Sequence, residues 1–156
     1  MARDLGPTLH KLDSATRLKL NEDEKRELGT VVYLASGYDN RVNVYRPEDW
    51  KRLKETFDRL PPYDPVANDL RSLLVETGSQ CEVDPQGRIR IPDVQADWAG
   101  LDDAHQMVFL TRARDHWEIW ERSRYQAYLR SVNELKARSE DYFGPQGVAQ
   151  TEEDDS

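Results

Sequence analysis

The chain has 156 residues, 33% charged and 37% hydrophobic, with a formal net charge of -8 from 22 basic and 30 acidic side chains. That length suits one ordinary domain, or two small halves sharing a core. The acidity argues against indiscriminate binding to DNA or anionic membrane, though not against binding through local basic loops.

The N-terminal residues Met-Ala-Arg-Asp-Leu-Gly-Pro contain no apolar stretch of the signal-peptide kind, and no apolar run is long enough to span a bilayer. Cys81 is the single cysteine, which rules out an internal disulfide framework and a multi-Cys metal site. A soluble cytoplasmic protein is the expectation.

In chain order, the first expected feature is a short strand that reaches Asp13 and turns. An alternating strand follows, Arg17-Leu18-Lys19-Leu20, whose apolar residues fall two apart, so one face is buried and the basic side chains point out. Asn21 is placed to cap a short helix, with Glu24 three residues on, and Gly29 to end it. Strands are expected near 31–35 and 42–45. Pro47 opens a longer helix with Trp50, Leu53, Phe57 and Leu60 as its apolar stripe, and Pro61-Pro62 breaks it. Asp64-Pro65 starts a linking helix with Val66, Leu70, Leu73 and Leu74 inward and Gly78 as its stop.

The same grammar then returns. A short strand reaches Asp84 and turns; Arg88-Ile89-Arg90-Ile91 alternates; Pro92 precedes a short helix over 93–99 that Gly100 ends. Strands are expected over 107–111 and 117–120. A closing helix runs from about 123 to 138, with Tyr125, Tyr128, Leu129, Val132 and Leu135 as its stripe.

The correspondence is an internal repeat. Asp13, Arg17, Leu18 and Leu20 match Asp84, Arg88, Ile89 and Ile91 at an offset of 71. Val32-Tyr33-Leu34 matches Val108-Phe109-Leu110, and Val44-Tyr45 followed by Trp50 matches Ile119-Trp120 followed by Tyr125, at offsets of 75 to 76.

The repeated Asp-x-x-x-Arg turn before an alternating strand and short helix resembles the MraZ family. The resemblance extends through Asp64-Pro65-Val66, Cys81-Glu82-Val83-Asp84, Ala99-Gly100-Leu101 and the Phe-Leu-x5-Trp-Glu-Ile-Trp of residues 109–120. It covers roughly residues 8 to 135 and is most specific over 81–120. It implies an α+β fold: two tandem AbrB-like swapped-hairpin (SpoVT-AbrB) βαββα units forming one pseudo-symmetric, β-barrel-like domain with packing helices. Residues 8–60 would be the first repeat, 61–78 the linking helix, 79–138 the second repeat, and 139–156 a disordered acidic tail.

The resemblance also implies a function. Such a protein would be a nucleoid-associated transcriptional regulator, a repressor of the division and cell-wall gene cluster. It would bind tandem promoter repeats in double-stranded DNA as a ring of copies of itself. The family's DNA-facing motif, Asp-x-Lys-Gly-Arg or Asp-x-x-Gly-Arg, carries over by position to Asp13–Arg17 and Asp84–Arg88. The candidate DNA-binding residues are therefore Lys11, Arg17, Lys19, Arg88 and Arg90, with Asp13, Asp84 and Gly87 shaping the turns. An alternative is a ring-forming scaffold or protein-interaction module that has lost specific DNA binding.

The two turns differ in ways that bear on this choice. Ala15-Thr16 stands where the motif has Lys-Gly, and Thr is a poor residue for a positive φ. The expectation is that the first loop turns differently or carries no family-like turn. Lys11, Arg17 and Lys19 against Asp13 leave the first loop a local charge of +2, whereas Arg88 and Arg90 against Glu82 and Asp84 leave the second at zero. In each turn the Asp and Arg could instead form a salt bridge that only shapes the hairpin.

The remaining chemistry is sparse. Trp117, Trp120, Trp50 and Phe57 read as core or interface residues rather than a base-stacking platform, and Cys81 as a buried inert thiol. His10, His105 and His116 are scattered without metal-ligand spacing. Asp115-His116 reads as a solvated hairpin turn. No nucleophile with a base, phosphate loop or zinc helix is present, so no enzyme activity, cofactor, metal or small-molecule substrate is expected.

Overall fold

The computed structural model describes residues 6–144. They fall into two units, one through Arg122 and one from Ser123 onward. The first is a mixed α+β unit. Its strands are β1 (Thr8–Lys11), β2 (Arg17–Lys19), β3 (Val31–Ser36), β4 (Val42–Tyr45), β5 (Ser79–Glu82), β6 (Arg88–Arg90), β7 (Met107–Arg112) and β8 (Trp117–Glu121). Its helices are α1 (Glu22–Leu28), α2 (Pro47–Asp58), α3 (Pro65–Leu74) and α4 (Asp93–Ala99).

Pairing is antiparallel throughout and crosses between the two halves of the sequence. Six strands form one sheet in the order β1-β7-β8-β4-β3-β5, and β2 pairs with β6 in a separate ribbon. The first strand of each half therefore lies against the third-position strand of the other: β1 on β7 and β5 on β3. The like-placed strands β2 and β6 pair with each other, as do β4 and β8. Neither half could satisfy its strand edges alone.

The core follows from the alternation. Leu18 and Ile89, the middle residues of the ribbon, are 0% and 1% exposed and pack with Leu34, Val44, Val108 and Ile119 of the sheet. A second cluster gathers Ala35, Tyr45 and Trp50, and the Trp50 indole stacks on Tyr33 at 5.3 Å with the rings 6° apart.

Local signals explain the helices. Asn21 and Glu24 form a reciprocal capping box on α1, each side chain bonding the other's backbone N–H at 2.8 Å, and Gly29 closes the helix. Pro47 opens α2, and Trp50 and Phe57 are its buried face. The Asp64 carboxylate caps α3, accepting from the Val66 and Ala67 amides.

Some expectations are corrected. Val66 is 66% exposed; the buried face of α3 runs through Ala67 and Leu74, seven residues and two turns apart, which turns Val66 outward. The helix ends at Leu74, and Gly78 belongs to the turn after it, packed beneath the Trp50 ring. Leu60 falls beyond the end of α2 and is 36% exposed.

From residue 122 the chain is again helical. Helix α5 (Arg122–Asn133) passes into a 3-10 stretch (Glu134–Ser139) and then α6 (Glu140–Phe143), in place of one continuous helix to 138. Leu129, Val132 and Leu135 of the expected stripe are exposed. Of the tail expected to be disordered, 139–156, the described part is helical over Glu140–Phe143, and residues 145–156 lie outside the described ones. Among the described residues no helix is long and apolar enough to cross a membrane.

Candidate nucleic-acid interface

The two turns are built alike, atom for atom. In the first, Asp13 Oδ1 accepts the backbone N–H of Ala15 and of Arg17, both at 2.9 Å, and Oδ2 accepts Arg17 Nε at 2.7 Å. In the second, Asp84 Oδ1 accepts the N–H of Gln86 and of Arg88, again at 2.9 Å, and Oδ2 accepts Arg88 Nε at 2.8 Å. The Thr16 amide donates to the Asp13 carbonyl at 3.0 Å, and the Gly87 amide to the Asp84 carbonyl at 2.8 Å. An Asp followed four residues later by an Arg thus supplies both the turn and a clamp on the guanidinium.

Thr16 does what its chemistry argued against. Its φ is 58°, beside 79° for Gly87, so the first loop turns as the second does and the expected divergence is corrected. The surroundings over-determine this conformation. The Asp13 carboxylate fixes the amides on either side of Thr16, and the Thr16 carbonyl accepts the Ile91 amide at 3.0 Å. Its counterpart is the Gly87 carbonyl, which accepts the Leu20 amide at 2.8 Å.

Both carboxyls are held below their ordinary value. For Asp13, partial desolvation pushes the carboxyl up, but the Arg17 backbone and side chain and the Ala15 amide outweigh it and hold it below its ordinary value. For Asp84 the Arg88 amide is the leading cause of a shift in the same direction. Each Asp–Arg pair is a salt bridge, at 2.7 Å for Asp13–Arg17 and 2.8 Å for Asp84–Arg88. The pairs engage only the Nε edge of each guanidinium. Its Nη groups have no protein partner among the described residues.

The ribbon then collects the cations. In the β2–β6 register Arg17 stands opposite Arg90, Leu18 opposite Ile89 and Lys19 opposite Arg88. With Leu18 and Ile89 buried, the alternation puts all four basic residues on the outer face. Like charges directly opposite one another destabilise a sheet. Asp13 and Asp84 pair with Arg17 and Arg88, and Lys19 and Arg90 are exposed without an ion-pair partner among the described residues. Lys11 is exposed at the end of β1, before the first turn, and its position in the second half is taken by Glu82.

Lys25, a residue of α1, joins the second turn. Its aliphatic stem lies across Gly87, where an added Cβ would sit 2.6 Å from Lys25 Cδ. The legible signal was the repeat offset, which aligns Lys25 with Ala96 and Gly87 with Thr16, a large-for-small exchange on both sides.

Residues set aside as non-functional are placed as follows. Trp120 is 1% exposed with Arg41 over its ring at 4.5 Å, and Trp117 packs against the core, so neither is a stacking platform. Burial pushes the Cys81 thiol up, as suits an inert core residue. His116 stands in the turn between β7 and β8 as expected, beside the exposed Asp115, but its own side chain is half-buried rather than solvated. It bonds Glu118 at 2.9 Å, which also accepts from Arg41 at 3.0 Å and Trp120 at 3.1 Å, and its ring packs 5.2 Å from that of Tyr45. His10 meets Thr8 and the buried Glu24.

Comparison with known proteins points the same way along most of the chain. Residues 74–143 match the family model for the MraZ protein, described as antitoxin-like. A protein of Heliobacterium modesticaldum named transcriptional regulator MraZ is 32% identical over 124 residues, 80% of this chain and 85% of its own length. A protein of the same name from Alkaliphilus metalliredigens is 31% identical over the same shares. Another from Dictyoglomus turgidum is 29% identical over 136 residues, 87% of this chain and 91% of that protein.

Proposed function

The chain belongs to the MraZ family, and from that premise we propose that it is a sequence-specific DNA-binding transcriptional regulator whose β2–β6 ribbon and paired turns contact DNA. The observation that carries this reading is the ribbon itself. Four basic side chains, Arg17, Lys19, Arg88 and Arg90, share one face in two directly opposed like-charge pairs. Such a face is unfavourable until a polyanion meets it, and phosphates are its natural partner.

The Asp–Arg clamp fits the same role. A guanidinium held by its Nε edge presents its Nη edge in a fixed orientation, suited to guanine O6 and N7 or to a phosphate. Asp13 and Asp84 are then positioning residues, and the arginines the contacting ones. Lys11 extends the basic face beside the first turn.

The exchanged pairing of β1 with β7 and β5 with β3 supports two AbrB-like swapped-hairpin halves forming one pseudo-symmetric domain. The two turns then present a pair of related but unequal readers. Copies of the chain assembled in a ring would place these readers on successive promoter repeats, where linked weak contacts raise avidity by roughly 10²–10⁴. The target is the tandem repeats upstream of the division and cell-wall gene cluster, and the effect is repression.

The experiment is a nuclease footprint over the DNA upstream of the protein's own gene, paired with light scattering on the same sample. Regularly spaced protected segments and a multimeric mass are the expected result. A multimer that leaves the upstream DNA unprotected would replace this reading with the ring-forming scaffold.

A further inference from the structure

We infer that Lys25 is a third cation of the second turn's DNA-contacting face, supplied to it by a helix of the other half. This rests on the DNA-binding reading above and goes beyond it in assigning a residue outside the turn motif.

The argument starts from the exchange at the repeat offset. Turn one has Thr16 at its corner, Ala96 at the matching position of the short helix, and Lys11 on the strand before it. Turn two has Gly87, Lys25 and Glu82 in those places. The backbone ties are symmetric: Leu20, which leads into α1, bonds Gly87, and Ile91, which leads into α4, bonds Thr16. Each turn thus lies against the segment that starts the other half's short helix.

A glycine at the second corner leaves room for a long side chain to cross it. Lys25 takes that room, with Cδ 2.6 Å and Cε 3.3 Å from where a Gly87 Cβ would stand. The stem packs over Gly87, and the side chain as a whole stays 35% exposed, as suits a buried stem with a solvated ammonium. Among the described residues the ammonium's ion-pair partner is Glu22, itself 83% exposed, at 3.1 Å. Such a surface pair is weak and yields readily to a phosphate.

Lys25 brings the second turn level with the first in cations, though not in net charge, because Glu82 and Asp84 face them where the first turn has Asp13. Glu82 replaces Lys11 and would leave turn two with two cations against two acids. The groove beside the turn is lined by Lys25, Gly29, Thr30, Glu82, Asp84 and Gly87, among others, and among the described residues Lys25 is the cation that lines it, against the acids Glu82 and Asp84. With Lys25 counted, each turn has three: Lys11, Arg17 and Lys19 at the first, and Lys25, Arg88 and Arg90 at the second.

The test measures binding of the full chain to a duplex from upstream of its own gene and to a scrambled duplex, across a salt series. Lys25→Gln, Lys25→Arg and Arg88→Ala are compared with wild type, each with its thermal midpoint. Lys25→Gln is expected to keep the midpoint, to weaken binding to both duplexes by the same factor, and to lower the salt slope by about one per turn engaged. Lys25→Arg should restore both. If Arg88→Ala weakens binding while Lys25→Gln matches wild type in affinity and slope, Lys25 makes no contact, and the DNA-binding reading stands without it. If Lys25→Arg fails to rescue, packing rather than charge matters, and the inference falls. If wild type does not prefer the upstream duplex and Arg88→Ala changes nothing, the DNA-binding reading itself falls.

Discussion

Thr16 and Gly87 hold equivalent corners of two turns in the same left-handed backbone conformation, at φ 58° and 79°. One is β-branched and the other has no side chain, yet the hydrogen bonds around them match within a few tenths of an ångström. The carboxylate of the preceding aspartate, not the corner residue, sets the shape.

That relationship makes Thr16→Gly informative. A side chain in this conformation costs about 1–2 kcal/mol, so removing it is expected to stabilise the fold by about 1 kcal/mol after the entropy of glycine is counted. Chemical denaturation measures it. Because the turn is already formed, DNA affinity should change little; a marked gain would mean that Thr16 distorts the turn in solution.

Gly87→Ala tests the opposite corner. Strain at φ 79° and the collision with the Lys25 stem act together, and a loss of about 1–3 kcal/mol is expected. Lys25→Ala in that background should recover part of the loss, because it relieves the collision and leaves the strain. Strict additivity in a double-mutant cycle would contradict the contact.

Acid should loosen the first unit through two carboxylates, the buried Glu24 and the half-buried Glu118. Burial pushes Glu24 up, but the bonds from His10, Thr8 and the Asn21 amide outweigh it and hold it below its ordinary value of 4.5. Glu118 is pushed up by burial and held down by His116, Arg41 and Trp120. A carboxyl depressed in the folded state stabilises fully above its unfolded pKa, and that stability is lost as pH falls through the folded one. Thermal midpoints should therefore drop as pH goes below about 4.5. The drop should be shallower in Glu24→Gln and Glu118→Gln, and equal slopes in wild type and variants would remove these groups from the account.

Much of this architecture is legible in the sequence because its signals are local. Asn21 with Glu24, Pro47, Asp64, and the alternation around Leu18 and Ile89 each act within a few residues. They locate the strands and the starts of these helices to within one or two positions, while the ends of α3 and α5 fall several residues short of the expected stops. Partnerships between distant strands are a different matter. Alternation tells which face of β2 is buried, but nothing near Arg17 reveals that Arg90 stands opposite it. The four-cation face emerges only once the ribbon is paired. Thr16 misleads because intrinsic preference is local, whereas the bonds that override it come from Asp13 and from Ile91 in the other half. Lys25 is missed for the same reason: Gly87 lies 62 positions away. His116 reads as a solvated turn residue until Glu118, Arg41 and Tyr45 converge on it.

The central claim is that the ribbon cations bind DNA, and the most direct measurement is fluorescence anisotropy with the DNA upstream of the protein's own gene, beside a scrambled duplex, across a salt series. Wild type is expected to bind the upstream duplex selectively with a steep salt slope. Arg17→Ala and Arg88→Ala should each lose about 1–3 kcal/mol of binding and less than about 1 kcal/mol of stability, since each breaks only a partly exposed ion pair. Equal and weak binding to both duplexes, unchanged in folded Arg17→Ala and Arg88→Ala, would contradict the account.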